Sequence, residues 1–560
     1  MSGEVVSVPK IDIRPDYWVV VQGILRRHVP EYEVWAFGSR AKWTAKEYSD
    51  LDLAIVSDHP VPLRVLAAMA DDFSESPLPW KVDVVDLATV SAEFRKIIER
   101  DRVPVQEAVS SSVRPVWRYE LLEDVAAPEK GAIAIGPFGS RLKTDAYTKS
   151  GVALIRGQNL IDSKALSGEF VFVSDETARN LGNANVKPFD LVFPHRGNIG
   201  SVGIVPEGAQ KYALSTSLMK ITLDRKKVEP LFLYYFFRSS QGRAELLKNA
   251  SQVGTPGIAT PLTSLRACVV PVPPVAEQAA IAQFLSLLDD SIDLLRQTSA
   301  TRESIAQALF KSWFIDFDPV RAKAEGREPE GMDAETAALF PDSFEDSALG
   351  EIPKRWTVSE VGRVTQCVGG GTPSTKDEKF WKPAIHHWTT PKDLSGIAAP
   401  VLLNTERKLS DAGLAKVSSG LLPAGTLLMS SRAPIGYLAI SAIEVAVNQG
   451  YIAMPPGGTL PPVYLYFWCQ ANMNAIKQKA NGSTFMEISK TAFRPIPLIL
   501  PPATVVSRFT ELAENLFASI TEGERQALQL SQIRDTLLPR LISGQIRLTE
   551  AEAQLNEALA

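Results

Sequence analysis

Cysteine is scarce. The chain of 560 residues has three, Cys268, Cys367 and Cys469, far apart and odd in number. That excludes a disulfide framework and a cysteine zinc cluster, and it suits the cytoplasm. Histidine is nearly as rare, at five. His195, His386 and His387 lack cysteine or carboxylate neighbours at ligand spacing, so they read as surface or hydrogen-bonded side chains. No apolar run reaches ~18 residues, so neither a transmembrane helix nor a membrane partner is expected. The N-terminal Met-Ser-Gly-Glu-Val-Val has neither the basic nor the apolar region of a signal peptide. There is no Gly-x-x-x-x-Gly-Lys-[Ser/Thr] phosphate loop and no Asn-Pro-Pro-Phe-like or Asp-Pro-Pro-Tyr-like methyltransferase motif. A nucleotide-driven motor or a methyl transfer would need separate chains.

Positive charge also looks deficient, at a net −5. Splitting the chain changes that reading. Residues 112–274 carry 20 Lys+Arg against 14 Asp+Glu, and residues 349–502 carry 15 against 9. Each stretch is therefore +6, which leaves −17 for the remainder. Two basic units on an acidic frame point to a polyanionic partner.

The longest feature runs from Val275 to about Phe317. It follows the proline stop Val270-Pro271-Val272-Pro273-Pro274 and contains no Pro or Gly. Apolar residues recur at Ile281, Leu285, Leu288, Ile292 and Leu295, and again at Leu309 and Trp313. That spacing predicts a helix with a coiled-coil-like seam, interrupted at Ser299 and Arg302. About 43 residues at ~1.5 Å each span roughly 65 Å, so a partner helix must cover the seam. The partner lies in the same chain, after Pro501-Pro502. At an offset of 228, Ile281 falls on Phe509, Leu288 on Leu516, Ile292 on Ile520 and Leu309 on Leu537. Gly254-Thr255-Pro256 falls on Gly482-Ser483-Thr484, and Val270-Pro271-Val272 on Leu498-Ile499-Leu500. This is an internal repeat.

The repeat extends through the basic units. Trp356 answers Trp117, and Gly369-Gly370-Gly371 answers the Gly136-Pro137-Phe138-Gly139 loop. Pro423 answers Pro188, Arg432 answers Arg196, and Ile435-Gly436 answers Ile199-Gly200. The apolar helix from Leu231 to Phe237 has its counterpart at Tyr464-Leu465-Tyr466-Phe467. The offset drifts from 239 at the Trp pair to 228 at the helices, so length changes sit in the globular loops.

The first 109 residues read as a separate unit. Tyr17–Val29 has helical spacing, and Glu33–Phe37 reads as a strand. Then come Gly38-Ser39, ten residues ending at Ser49, and Asp50-Leu51-Asp52. Strand alternation from Leu51 to Val56 puts Asp50 and Asp52 on one face, where two carboxylates can share divalent ions. The Gly-Ser turn leads into a helix whose first amides suit a phosphate. A third acidic strand follows, Lys81 to Asp86. Ser110-Ser111-Ser112 reads as a linker.

These first residues resemble a minimal nucleotidyltransferase of the polymerase-beta-like superfamily. The resemblance implies that Gly38 and Ser39 position nucleotide phosphates, and that Asp50, Asp52 and Asp83, with Asp86 the runner-up for the third carboxylate, are catalytic and hold Mg²⁺ beside a nucleoside triphosphate. It leaves open whether the unit is active, is an inactive inherited fold or acts as an antitoxin. The rest resembles the specificity subunit of a type I restriction–modification system. That implies an α+β multidomain chain with an N-terminal nucleotidyltransferase-like α/β domain (1–109). Two repeated α+β target-recognition domains (112–274 and 349–500) would alternate with two long antiparallel coiled-coil helices. The helices fall in a central conserved region with its linker (275–348) and a distal conserved region (501–548), before a tail (549–560).

The resemblance further implies a non-catalytic DNA-recognition scaffold. Its partners would be double-stranded DNA with a bipartite site, modification (methyltransferase) subunits and restriction (motor and nuclease) subunits, and the recognition part would need no cofactor. The alternative is a nucleotidyl-transferring or antitoxin-like module delivered by a DNA-binding C-terminal region. Reading DNA needs polar side chains on loops, some reaching base edges and others phosphates. The candidates are Arg141, Lys143, Arg156, Gln158, Asn159, Arg196 and Asn198 in the first unit. In the second they are Thr372, Ser374, Lys376, Lys379, Lys392, Arg432, Asn448 and Gln449.

Overall fold

The structure is a computed structural model. It describes every residue except 1–9, 31, 47, 58–60, 62, 107–116, 138–141, 161–162, 252–255, 483–485 and 560. The expected linker at Ser110-Ser111-Ser112, the candidate Arg141 and parts of two repeat matches (Gly254-Thr255 and Ser483-Thr484) lie outside the described residues. The chain divides into two compact units, Met1–Arg118 and Tyr119–Ala560.

In the first unit, strands Glu33–Phe37, Leu51–Val56, Val82–Asp86 and Val103–Gln106 form one sheet. Leu51–Val56 runs antiparallel to Glu33–Phe37 and parallel to Val82–Asp86. Strand alternation sends Val34 and Ala36 to one face, against Trp18, Val21 and Leu25 of helix Pro15–His28 and Met69 of helix Leu63–Glu75. Trp35 and Phe37 point to the other face, where they meet Ile98 of helix Ala92–Asp101.

The second unit is built on two helices, Val275–Phe314 and Ala503–Ile542, each of 40 residues. Both begin directly after a proline, Pro274 or Pro502, where a missing N–H costs nothing. The central helix ends three residues before the predicted Phe317, which takes a left-handed backbone conformation and leads into helix Asp318–Ala324. Both ends of the two helices lie 228 residues apart, 275 against 503 and 314 against 542. The pair is antiparallel, as the contacts show. Asp289 meets Arg534, Ser299 meets Gly523, and Phe310 meets Phe509. The seam is largely apolar, with a buried ion pair at Asp289 and Arg534 and a close approach near its middle. There, a Cβ on Gly523 would lie 3.2 Å from Ser299 Oγ, so the helices approach too closely for large side chains. This accounts for the break in the apolar spacing at Ser299.

Two globular parts with the same strand plan sit on this pair. In the first, strand Val152–Ile155 is parallel to Tyr212–Leu214 and antiparallel to Val171–Val173. In the second, His386–Thr389 is parallel to Ala446–Val447 and antiparallel to Arg407–Leu409. A second sheet repeats likewise: Leu191–Pro194 lies between Gly203–Ile204 and Leu218–Ile221, as Leu427–Ser430 lies between Leu438–Ser441 and Tyr451–Met454.

Each part docks through a short aromatic helix. Pro230–Arg238 is almost entirely buried, and Tyr235 and Arg238 both reach Asp289, at 2.8 and 3.0 Å. Pro462–Ala471 packs Tyr464 and Phe467 against Phe310 and Phe509, and Tyr466 donates to Glu303 at 2.5 Å. The first part also grips the central helix through Lys164, bonded to Asp290 at 2.6 Å, and Ser163, bonded to Asp293 at 3.0 Å. The two docking points are 21 residues apart on the central helix, Asp289 and Phe310, or about 30 Å at ~1.5 Å per residue.

Candidate nucleic-acid interface and acidic strand cluster

In the first unit the register brings the acidic residues together. Phe37 is opposite Asp52, and Asp52 is opposite Asp83 on the neighbouring parallel strand. Gly38 has φ +77°, and a Cβ there would lie 2.3 Å from Asp52 Oδ2, so only glycine fits against this carboxylate. The helix predicted after the Gly-Ser turn is a single turn, Gly38–Ala41. Arg40 is buried beneath it. Its guanidinium donates to the carbonyls of Ser49 (2.8 Å) and Asp12 (2.9 Å) and lies over the Trp80 ring. Arg40 thereby pins the loop that delivers Asp50. Burial, then the charges of Asp83 and Asp50, push the Asp52 carboxyl above the usual carboxylate range.

That repulsion is what a bound divalent cation would relieve, so the donor set has the right chemistry for one. As it stands, Asp83 pairs with Lys81 at 2.5 Å. No three His, Cys, Asp or Glu side chains among the described residues close on one point. Asp86, the runner-up, is buried and accepts from Ser57, from the Val61 amide at 2.7 Å and from the Ala88 amide at 2.9 Å. It anchors the connecting loop and is not free to bind a metal. The sequence reading overlooked two exposed aromatics between Ser39 and Asp50, Trp43 and Tyr48.

In the second globular part on the helix pair the structure assembles part of the candidate group. The Gly371 amide donates to the Val447 carbonyl at 3.1 Å, and the Thr372 hydroxyl donates to Gln449 Oε1 at 2.6 Å. The Ser431 amide donates to the Gly450 carbonyl at 2.8 Å, which brings Arg432 to the same rim. The loop is held from below by residues the sequence reading missed. The Trp388 indole donates to the Gly371 carbonyl, the Trp381 indole donates to the Ser374 carbonyl, and Arg407 lies over Trp381 at 3.3 Å. Ser374, Lys376 and Lys379 continue this loop on the surface. Several cations here are already engaged: Lys379 with Asp377 (2.8 Å), Lys392 with Glu406 (2.8 Å) and Arg432 with Glu487 (3.6 Å).

In the first of the two globular parts on the helix pair, Lys143, Gln158, Arg196 and Asn198 are exposed. Arg156 is half-buried and donates to the Glu169 carbonyl at 2.7 Å. Asn159 needs correction as a DNA contact. It is fully buried, its amide donates to the carbonyls of Ser167 and Glu169, and its Oδ1 accepts from the Arg156 amide at 2.9 Å. Asp393 makes the same bond to the Thr390 amide in the second unit, so the position shapes a turn. His195 is buried and its Nε2 donates to the Thr216 carbonyl; burial lowers its pKa. His386 is bonded to Asp411 and His387 to Thr405.

Comparison with known proteins agrees with this architecture. A nucleotidyltransferase domain family matches residues 21–113. The probable protein adenylyltransferase MntA of Haemophilus influenzae is 46% identical over 109 residues, covering 20% of this chain and 96% of that protein. The HindI type I restriction enzyme specificity subunit of the same species is 26% identical over 450 residues, 72% of this chain and 96% of the relative. The crystal structure of the S subunit of a type I restriction–modification system from M. genitalium covers 76% of this chain and 96% of its own, with 14% identity and a TM-score of 0.48. The type I restriction modification DNA specificity domain matches twice, over residues 139–302 and 353–529, more than half of the chain, which therefore belongs to that family.

Proposed function

We propose that the chain is the DNA sequence-recognition subunit of a type I restriction–modification complex. It binds a bipartite DNA target and scaffolds the modification and restriction subunits. The observation that carries this reading is the pair of like-folded basic units docked about 30 Å apart on an antiparallel helix pair. One turn of B-DNA is about 34 Å, so each unit can face the same side of the duplex and read one half-site. The strands that enter and leave the second unit, Thr357–Glu360 and Pro497–Leu500, are paired antiparallel, so it can be exchanged without re-routing the helices. Replacing residues 349–500 with another recognition domain should change one half of the target and leave the other intact. Unchanged specificity in a folded chimaera would refute the assignment.

A second activity is favoured by the Gly38–Asp52–Asp83 arrangement. We read the first unit as a nucleotidyltransferase-like module. Asp50, Asp52 and Asp83 would hold Mg²⁺, and Gly38 and Ser39 would face the phosphates of a nucleoside triphosphate. The bound cation would supply charge neutralisation at the transferring phosphate. The chain's own part is to set Asp52 opposite Asp83 on the neighbouring strand and against Gly38, where no side chain can crowd it. The variant Asp50→Asn with Asp52→Asn preserves size and should fold. Labelling of acceptor proteins from a labelled nucleoside triphosphate with Mg²⁺ should be seen with the wild type and lost in this variant. Labelling that persists would reject the carboxylate assignment.

A further inference from the structure

The repeat continues to the level of single hydrogen bonds, and it singles out a residue with no role so far. In the first globular part on the helix pair the Ser215 amide donates to the Ile155 carbonyl, and in the second the Asn448 amide donates to the Thr389 carbonyl, both at 3.0 Å. Two residues on, the Ser217 carbonyl accepts from the His195 amide at 2.9 Å, and the Gly450 carbonyl accepts from the Ser431 amide at 2.8 Å. The His195 and Ser431 carbonyls then accept from the Ile258 and Ile488 amides, both at 3.0 Å. Between these pins lies one residue in each unit, Thr216 in the first and Gln449 in the second. Both are exposed, and each follows a strand that ends at the loop rim, Tyr212–Leu214 or Ala446–Val447.

We propose that Thr216 is a base-reading residue of the first recognition unit and the counterpart of Gln449 in the second. The inference rests on the DNA-recognition reading above. Three features make Thr216 more than another surface threonine. Its backbone is held from both sides, by the pins just described and by His195, whose Nε2 donates to the Thr216 carbonyl at 3.3 Å. The Oγ of the adjacent Ser215 is buried and has no hydrogen-bond partner among the described residues. The neighbouring loop carries the exposed Arg196 and Asn198, as the rim around Gln449 carries Arg432. A threonine offers a hydroxyl donor and acceptor with a methyl group, suited to a base edge or a thymine methyl. A glutamine offers an amide suited to adenine. The Thr372 hydroxyl, by donating to Gln449 Oε1, leaves the amide NH₂ as the donor edge. His195 is a positioning residue in this scheme.

The test uses the full chain assembled with its modification subunits and a pool of duplexes randomised in both half-sites. Thr216→Ala and Thr216→Gln should each alter preference at one or two base pairs of one half-site, on the order of 10-fold, with the other half unchanged. Gln449→Ala should do the converse. An unchanged preference at every position for both Thr216 variants would overturn the proposal. So would a uniform weakening across all sequences, which marks a phosphate contact. If the wild-type assembly selects no two-part site at all, the recognition reading itself falls, and this inference with it.

Discussion

Asp52 shows how one position can carry a site and a cost together. It is held beside Asp83 and Asp50 by strand register, and both raise its pKa in addition to the effect of burial. A carboxyl whose folded pKa lies above its unfolded value stabilises the fold below about pH 3.9. It loses that contribution as the pH rises through the folded value. Ionising Asp52 without a divalent ion beside it therefore strains its own strand. Hydrogen exchange of Leu51–Val56 in the full chain should slow at pH 7 in Asp52→Asn, and the exchange free energy should lose the share of its acidic pH dependence that Asp52 contributes. Mg²⁺ should slow exchange in the wild type and not in the variant. Faster exchange in the metal-free variant at pH 7 would contradict this account. Gly38 belongs to the same scale, because any side chain at that position would meet the Asp52 carboxylate.

At the scale of elements, the helix pair is joined to its recognition units by two different chemistries. The second unit is held by an aromatic cluster around Phe310, Tyr464 and Phe509. The first is held by a buried carboxylate. Asp289 accepts from Tyr235, Arg238 and Arg534, and so ties the docking helix to both long helices. Removing one member of a buried ionic group costs more than the group contributes, because the remaining charges stay desolvated. Asp289→Ala should destabilise this joint by about 3–5 kcal/mol. Tyr466→Phe, which removes the bond to Glu303 and the acceptor for Gln470 Nε2, should cost about 1.5–3 kcal/mol. Denaturant unfolding of both variants reads the difference, and a smaller loss for Asp289→Ala would show that water reaches the joint. The middle of the pair is different again: Glu524 is buried beside Gly523 with its carboxyl pKa raised by burial and opposed by Arg296.

For the molecule as a whole, the net charge of −5 conceals two units of +6. If both lie on one duplex, several phosphates are neutralised together and their counterions are released. Affinity should then fall at least about 10-fold between 50 and 200 mM salt, measured by fluorescence anisotropy on a fixed duplex. A flat salt dependence would exclude DNA as the polyanion.

The amino-acid order by itself determined the plan. Proline stops, apolar spacing and the 228-residue offset located both long helices to within a few residues, and Gly-Ser with Asp-x-Asp located the acidic strands. Such features are local or repeated, so they survive in one dimension. Only the tertiary structure decided which polar residues are available. Asn159 and Arg196 look alike as loop polars, yet one is sealed inside a turn and the other is exposed. Asp83 and Asp86 share a strand, but cross-strand register puts Asp83 opposite Asp52, while buried amide donors claim Asp86. Thr216 could not be found from composition, because its equivalence to Gln449 is defined by hydrogen bonds between segments distant in the chain. Those bonds exist only once the strands have paired.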